Sequence, residues 1–195
     1  MKRAVVIIGA SHAAAQASVS LRQGGSEGKI TVIGDEPDLP YNRPPLSKDF
    51  LSGNKALDDI LIRPASGYEA ANIEMKLGVR VEAVDRTAKT VVTDAGETLS
   101  YDKLVLTTGA RIRRLPVPGE DLDGVYYLRD TKDVRAIKAE VKAGRKAVII
   151  GGGYIGLETA ASLKKQNMDV TVLEAMPRIL QRVTCLLYTS PSPRD

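Results

Sequence analysis

Cysteine occurs once in the 195 residues, at Cys185. That excludes an internal disulfide, a Cys-x-x-Cys redox pair and a cysteine-rich metal centre within the chain, and no metal site is expected. A reducing cytoplasm is the simplest home for such a protein. Tryptophan is absent, phenylalanine occurs once and aromatics make up 4% of the chain. Without an aromatic platform or a nucleic-acid motif, the net charge of +4 and the pI near 9.1 read as solvated surface charge, and no nucleic-acid partner is expected. No apolar run approaches the length of a membrane span, so the chain reads as soluble. Its start, MKRAVVIIGA, puts two basic residues before an apolar stretch too short for a secretion signal, and it ends in a glycine motif, which marks a first strand. The one histidine, His12, has nothing nearby to orient it and reads as part of a turn rather than as a base.

What is present is a globular composition, 43% apolar, and one complete motif. Residues 147–174, AVIIGGGYIGLETAASLKKQNMDVTVLE, read as strand, phosphate-binding turn, helix and second strand. Gly151 allows the tight turn, Gly153 lets the backbone touch a pyrophosphate, and Gly156 lets helix and strand pack closely. The helix then aims unpaired N–H groups and its positive dipole end at the phosphates. Glu174 lies 23 positions after Gly151, where a carboxylate accepts hydrogen bonds from both ribose hydroxyls of an adenosine. It would repel a 2'-phosphate, so NADH is expected over NADPH.

The N-terminal residues repeat this outline. At a shift of 142 positions Gly9 falls on Gly151, Ser11 on Gly153 and Ala14 on Gly156, and a second strand, 30–33, is again followed by acid at Asp35 and Glu36. Two nucleotide-binding units in one chain imply two nucleotides. Ser11 and Ala14 depart from glycine but stay small.

Between the units the expectations are looser. Pro37, Pro40, Pro44 and Pro45 fix an extended path that forbids a helix before a short turn at 46–51, on a loop carrying Arg43 and Lys48. Residues 54–78 are mixed, with a short helix at 64–72. Residues 79–84, 90–93 and 97–101 form an antiparallel meander. A buried strand at 102–108 ends at Gly109, on the ligand-binding edge of a parallel sheet. Residues 111–124 cross into a second domain, 125–128 add a strand and 131–143 form a helix. Residues 185–195, CLLYTSPSPRD, have neither period nor motif and read as a non-native tail on a truncated chain.

The runs VVIIGASHAAAQASVSLRQGG, PYNRPPLSKDFLSG, YDKLVLTTGARIRRLPVPG, YYLRDTKD and VIIGGGYIGLETAASL together resemble the FAD-dependent NADH:ferredoxin reductases, the putidaredoxin, rubredoxin and Rieske-type ferredoxin reductases of the two-dinucleotide-domain flavoproteins. The resemblance covers residues 1–184 and implies an α/β fold. Two Rossmann-like dinucleotide-binding units are expected, with the meander inserted: an FAD domain at 1–112 and an incomplete NADH domain at 113–184. It implies FAD at Gly9, Ser11, Ala13 and Ala14, with Asp35 at the ribose and Glu36 as the competing acid. Further FAD contacts are implied at Arg43, Val81, Thr108, Gly109 and Arg129. Thr107-Thr108-Gly109 stands where the family has Ala-Thr-Gly. NADH is implied at Gly151, Gly153, Tyr154, Ile155, Gly156 and Glu174. Lys48 matches a lysine beside the flavin, and Glu158 a glutamate that pairs with it. The activity implied is hydride transfer from NADH to FAD, then single electrons to a ferredoxin- or rubredoxin-like iron–sulfur carrier. The 195 residues alone are expected to bind FAD weakly and to show little activity. Two alternatives stand beside it: another FAD-dependent NAD(P)H oxidoreductase, such as a nitrite reductase subunit or an oxidase, and a non-catalytic nucleotide-binding redox module.

Overall fold

A computed structural model describes residues 3–189. Chain order is β1 (Val5–Ile8), α1 (His12–Gln23), β2 (Ile30–Gly34), α2 (Asp49–Ser52), α3 (Ala65–Ala70), β3 (Ile73–Leu77), β4 (Val81–Asp85), β5 (Thr90–Thr93), β6 (Thr98–Ser100), β7 (Lys103–Leu106), α4 (Thr131–Glu140), β8 (Lys146–Ile150), α5 (Tyr154–Lys165) and β9 (Asp169–Leu173), with short 3-10 turns between. These elements group into two units. One comprises residues up to Arg43 with Leu57–Pro116, the other Pro44–Ala56 with the residues from Val117 on. The sequence reading divides the chain once, at residue 113. By contacts, Pro44–Ala56 joins the later half.

The first unit is built on a parallel sheet in the order β3-β2-β1-β7. β1 and β2, VVII and ITVIG, are apolar nearly throughout because both faces of a parallel sheet are covered. Alternation decides which cover each residue meets. Val5, Ile7, Ile30 and Val32 pack with Ala14, Ala15 and Val19 of α1 and with Tyr68, whereas Val6 and Ile33 pack with Val91 of the meander β4-β5-β6. Burying each such aliphatic side chain stabilises the fold by about 1.5–3 kcal/mol. The alanines on α1 let the helix lie close to the sheet.

In the second unit β8 and β9 pair in parallel, with Ala147 opposite Val170 and Ile150 opposite Leu173. α5 packs on both strands, and the Pro44–Ala56 segment packs on α4 and α5 through buried Leu46, Phe50 and Leu51. α4 opens on a reciprocal capping box between Asp130 and Asp133. Among the described residues this sheet has two strands, and Val148, Ile150 and Leu173 leave it an exposed apolar face.

Four expectations are corrected. Residues 125–128 form no strand, since no described strand pairs with them. Ile73–Leu77, IEMKL, is a strand that its mixed polarity hides; the β2 edge recruits it. Pro44 and Pro45 do not forbid a helix but open a 3-10 turn, Pro44–Ser47, because the first residues of a helix need no intrahelical N–H donor. α4 stops at Glu140, three residues early, where Val141 turns extended. Of the expected tail, 190–195 lie outside the described residues, as do residues 1–2 at the start. Leu186–Tyr188 form a 3-10 turn with all three side chains exposed.

Candidate functional site

β1 delivers the chain to Gly9, at φ +101°, on the carboxyl edge of the first sheet. A Cβ there would lie 2.2 Å from the Thr107 carbonyl oxygen, so glycine is required. Thr107 braces the turn. Its amide donates to Ile8 at 2.7 Å, and its hydroxyl donates to the carbonyls of Ile8 and Gly9, at 3.0 and 2.9 Å. This puts the Thr108 backbone beside Gly9, with Gly109 following at φ +67°. Ser11 is the N-cap of α1 but makes no side-chain cap bond, which leaves the first amides of the helix for another acceptor. Ala13 is exposed and Ala14 fully buried.

Two acids close β2 and differ in their surroundings. Asp35 is exposed, and among the described residues no hydrogen bond holds it. Glu36 is half-buried, taking a hydrogen bond from Tyr41 and an ion pair from Arg43. Arg43 also lies over the Tyr41 ring, 5.2 Å from its centroid. Glu36 and Arg43 thus engage each other. Val81 opens β4 and packs with the Ile33 cluster, close to the β2 end through the Val79 amide, which donates to the Gly34 carbonyl at 2.9 Å.

The second turn repeats the first with more open space. Gly151 has φ +112°, and a Cβ on Gly151 or Gly153 would meet nothing within 4 Å. A pyrophosphate fits such a cradle. Gly156 is different: its Cβ would lie 2.0 Å from the Gly151 carbonyl oxygen, so the start of α5 touches the turn backbone. Tyr154 and Ile155 stand exposed on the first turn of that helix. Glu174 folds back on the turn, accepting from the Met176 amide at 2.9 Å and the Gly152 amide at 2.7 Å. Those bonds, Met176 first, hold its carboxyl below the usual glutamate value.

One turn further along α5, the Glu158 carboxylate divides its oxygens between two partners. Oε1 meets Lys48 Nζ at 2.9 Å, and Oε2 accepts from Ser47 Oγ at 2.6 Å. The Ser47 bond leads the influences that hold Glu158 below its ordinary value, ahead of opposing burial and the attraction of Lys48. Arg129 precedes α4, where its amide donates to Asp133 at 2.7 Å.

A family model described as pyridine nucleotide-disulphide oxidoreductase matches residues 3–185. The chain belongs to this family. Relatives within it include a ferredoxin–NAD(P)(+) reductase from a Sphingomonas species, 50% identical over 179 residues, which are 92% of this chain and 43% of that protein. Putidaredoxin reductase from Pseudomonas putida is 40% identical over 92% of this chain and 43% of its own length. Among solved structures, the ferredoxin reductase for the CYP199A2 system from Rhodopseudomonas palustris superposes with a TM-score of 0.90 at 37% identity, covering 96% of this chain and 46% of that one. The chain therefore spans under half the length of these relatives. The α/β fold, with its Rossmann-like parallel sheet and antiparallel meander, matches theirs.

The one cysteine of the chain, Cys185, is exposed. Within each unit the structure brings most of the expected residues together. Gly9, Ser11, Thr108 and the end of β2 share one edge in the first unit. Gly151, Gly153, Gly156 and Glu174 share one in the second, where Lys48 also meets Glu158. Sequence reasoning passed over Ser47, although it stands inside the PPLSK motif, and over Gly152, whose amide reaches Glu174. Neither has a signal of its own before the backbone path is known.

Proposed function

We propose that this chain is the nucleotide-binding part of an FAD-dependent NADH:ferredoxin reductase, with FAD on the first unit and NADH on the second. When bound, NADH supplies a hydride and FAD accepts it and releases electrons singly, chemistry that belongs to the cofactors. The chain supplies binding and electrostatics. Gly9, Ser11, Ala13 and Ala14 line the first phosphate turn, with Thr108 and Gly109 beside it and Val81 near the adenine. We assign the first ribose to Asp35, because Glu36 is already engaged by Tyr41 and Arg43. Arg43 is accordingly a brace for Glu36 and contributes to the FAD site indirectly. Gly151, Gly153, Tyr154, Ile155, Gly156 and Glu174 hold NADH. Lys48, paired with Glu158, would supply the positive charge that favours a reduced, anionic flavin when the cofactor is bound.

The observation that carries this reading is the Lys48–Glu158 ion pair on the helix that the Gly151–Gly156 turn opens. A structural dinucleotide fold has no need of a lysine there. The relatives named above act on ferredoxin or putidaredoxin, which supports a small iron–sulfur carrier as the electron acceptor. A lone exposed cysteine suits work in the reducing cytoplasm.

Titration of the chain with NADH and NADPH tests the second unit. NADH is expected to bind at least about tenfold more tightly, with Glu174→Ala narrowing the gap. Equal affinities would remove the preference for NADH assigned to Glu174. Assay of the whole protein then tests the acceptor: anaerobic bleaching of its flavin by NADH followed by ferredoxin reduction supports the reading. Turnover with oxygen or nitrite alone makes it another oxidoreductase, and binding without turnover makes it a redox module.

A further inference from the structure

Lys48 and Glu158 stand on segments more than a hundred positions apart in sequence, and an exposed lysine–glutamate pair on such segments holds its geometry poorly. Their side chains are 48% and 30% exposed, and pairs this open are worth little by themselves. Something else must fix the glutamate. We infer that Ser47 is a positioning residue, its hydroxyl holding the Glu158 carboxylate in the orientation that meets Lys48. This deepens the reading proposed above and rests on it for its consequence in catalysis.

The geometry is specific. Ser47 is 4% exposed, at the end of the 3-10 turn Pro44–Ser47. Its hydroxyl donates to Oε2 of Glu158 at 2.6 Å, a short bond to an ionised acceptor and stronger than a neutral one. Oε1 is left for Lys48 at 2.9 Å. Ser47 is in turn anchored at its own carbonyl, which accepts from the hydroxyl of buried Ser162 at 2.7 Å, one turn beyond Glu158 on α5. Two hydrogen bonds therefore clip Ser47 to the helix at two heights, one at Glu158 and one at Ser162. Leu46, Phe50 and Leu51, all buried, keep the segment down. Lys48 is the charged group acting on the carboxylate, and the Ser47 bond is the largest single influence favouring the ionised form. Because Ser47 immediately precedes Lys48, one turn of chain delivers both partners of Glu158.

The test follows the Glu158 carboxyl by carbon-13 NMR titration of the 195-residue chain, with no nucleotide added. Ser47→Ala is expected to move its midpoint upward, and Ser47→Thr, which keeps the hydroxyl, to leave it near the wild-type value. Ser162→Ala loosens the segment without touching the carboxylate and serves as the control for docking alone. An unmoved midpoint in Ser47→Ala overturns the inference, and so does an equal movement in Ser162→Ala. In the whole protein, NADH-driven bleaching of bound flavin should slow by about tenfold in Ser47→Ala and recover in Ser47→Thr. A moved midpoint with unchanged bleaching leaves the positioning intact and sinks the catalytic reading of the pair, so the two failures are distinguishable.

Discussion

At the end of the second strand the two nucleotide units solve one steric problem in opposite ways. Ile8 pairs with Ile33 in the first, and Ile150 with Leu173 in the second, with Gly9 and Gly151 donating to the carbonyls of Ile33 and Leu173. Gly34 therefore occupies the place of Glu174. Facing these positions are Ala10 and Gly152. A Cβ on Gly34 would lie 2.4 Å from the Ala10 Cβ, while one on Gly152 would crowd Glu174, 3.1 Å from Oε2 and 3.3 Å from Cβ. One unit puts the side chain on the turn and leaves the strand end bare. The other does the reverse. The consequence is chemical: the second unit places its acid at the strand end, folded against the turn, and the first can offer one only a residue later, at exposed Asp35. A duplicated motif has kept its backbone and moved its carboxylate.

The largest effect expected is at the feature the first unit adds to this design, the press of β7 against its turn. Gly9→Ala combines a positive φ with a Cβ 2.2 Å from the Thr107 carbonyl oxygen. Neither backbone can yield without disturbing the β1–β7 register. Destabilisation of about 3 kcal/mol or more is expected in chemical denaturation, confined to the first unit. A loss under about 1 kcal/mol would mean that the two turns are alike after all.

The swap itself is tested by a double-mutant cycle. Gly34→Ala should cost about 1–3 kcal/mol through overpacking against Ala10, and adding Ala10→Gly should recover more than half of it. Additive losses would show that Gly34 answers to something other than Ala10.

Much of this was legible in the residues, and the limits have physical causes. The strand-turn-helix pattern at 147–174 and its degenerate copy gave both units, because glycine spacing and β-branched runs are local signals. β3 was not legible: Ile73–Leu77 has no strand pattern of its own and is recruited by a neighbouring edge. Residues 125–128 carry strand chemistry, but no described strand pairs with them. The Lys48–Glu158 pair came from resemblance alone, since no spacing rule joins residues so distant in sequence. Ser47 and the Ala10–Gly34 exchange depend on which side chains face each other, and this is set only by tertiary packing.

The smallest effect is a pH dependence at Glu174. Amide bonds from Met176 and Gly152 lower the Glu174 value in the folded chain. A group with a depressed folded value contributes stability that is fully present above its unfolded value, about 4.3 for glutamate, and is lost as pH falls through the folded one. The difference in melting temperature between wild type and Glu174→Gln should therefore be present at neutral pH and shrink as pH drops below about 4. If that difference instead stays flat over the same range, the Glu174 carboxylate is not held by the turn in solution, and the contrast between the units lies in the glycines alone.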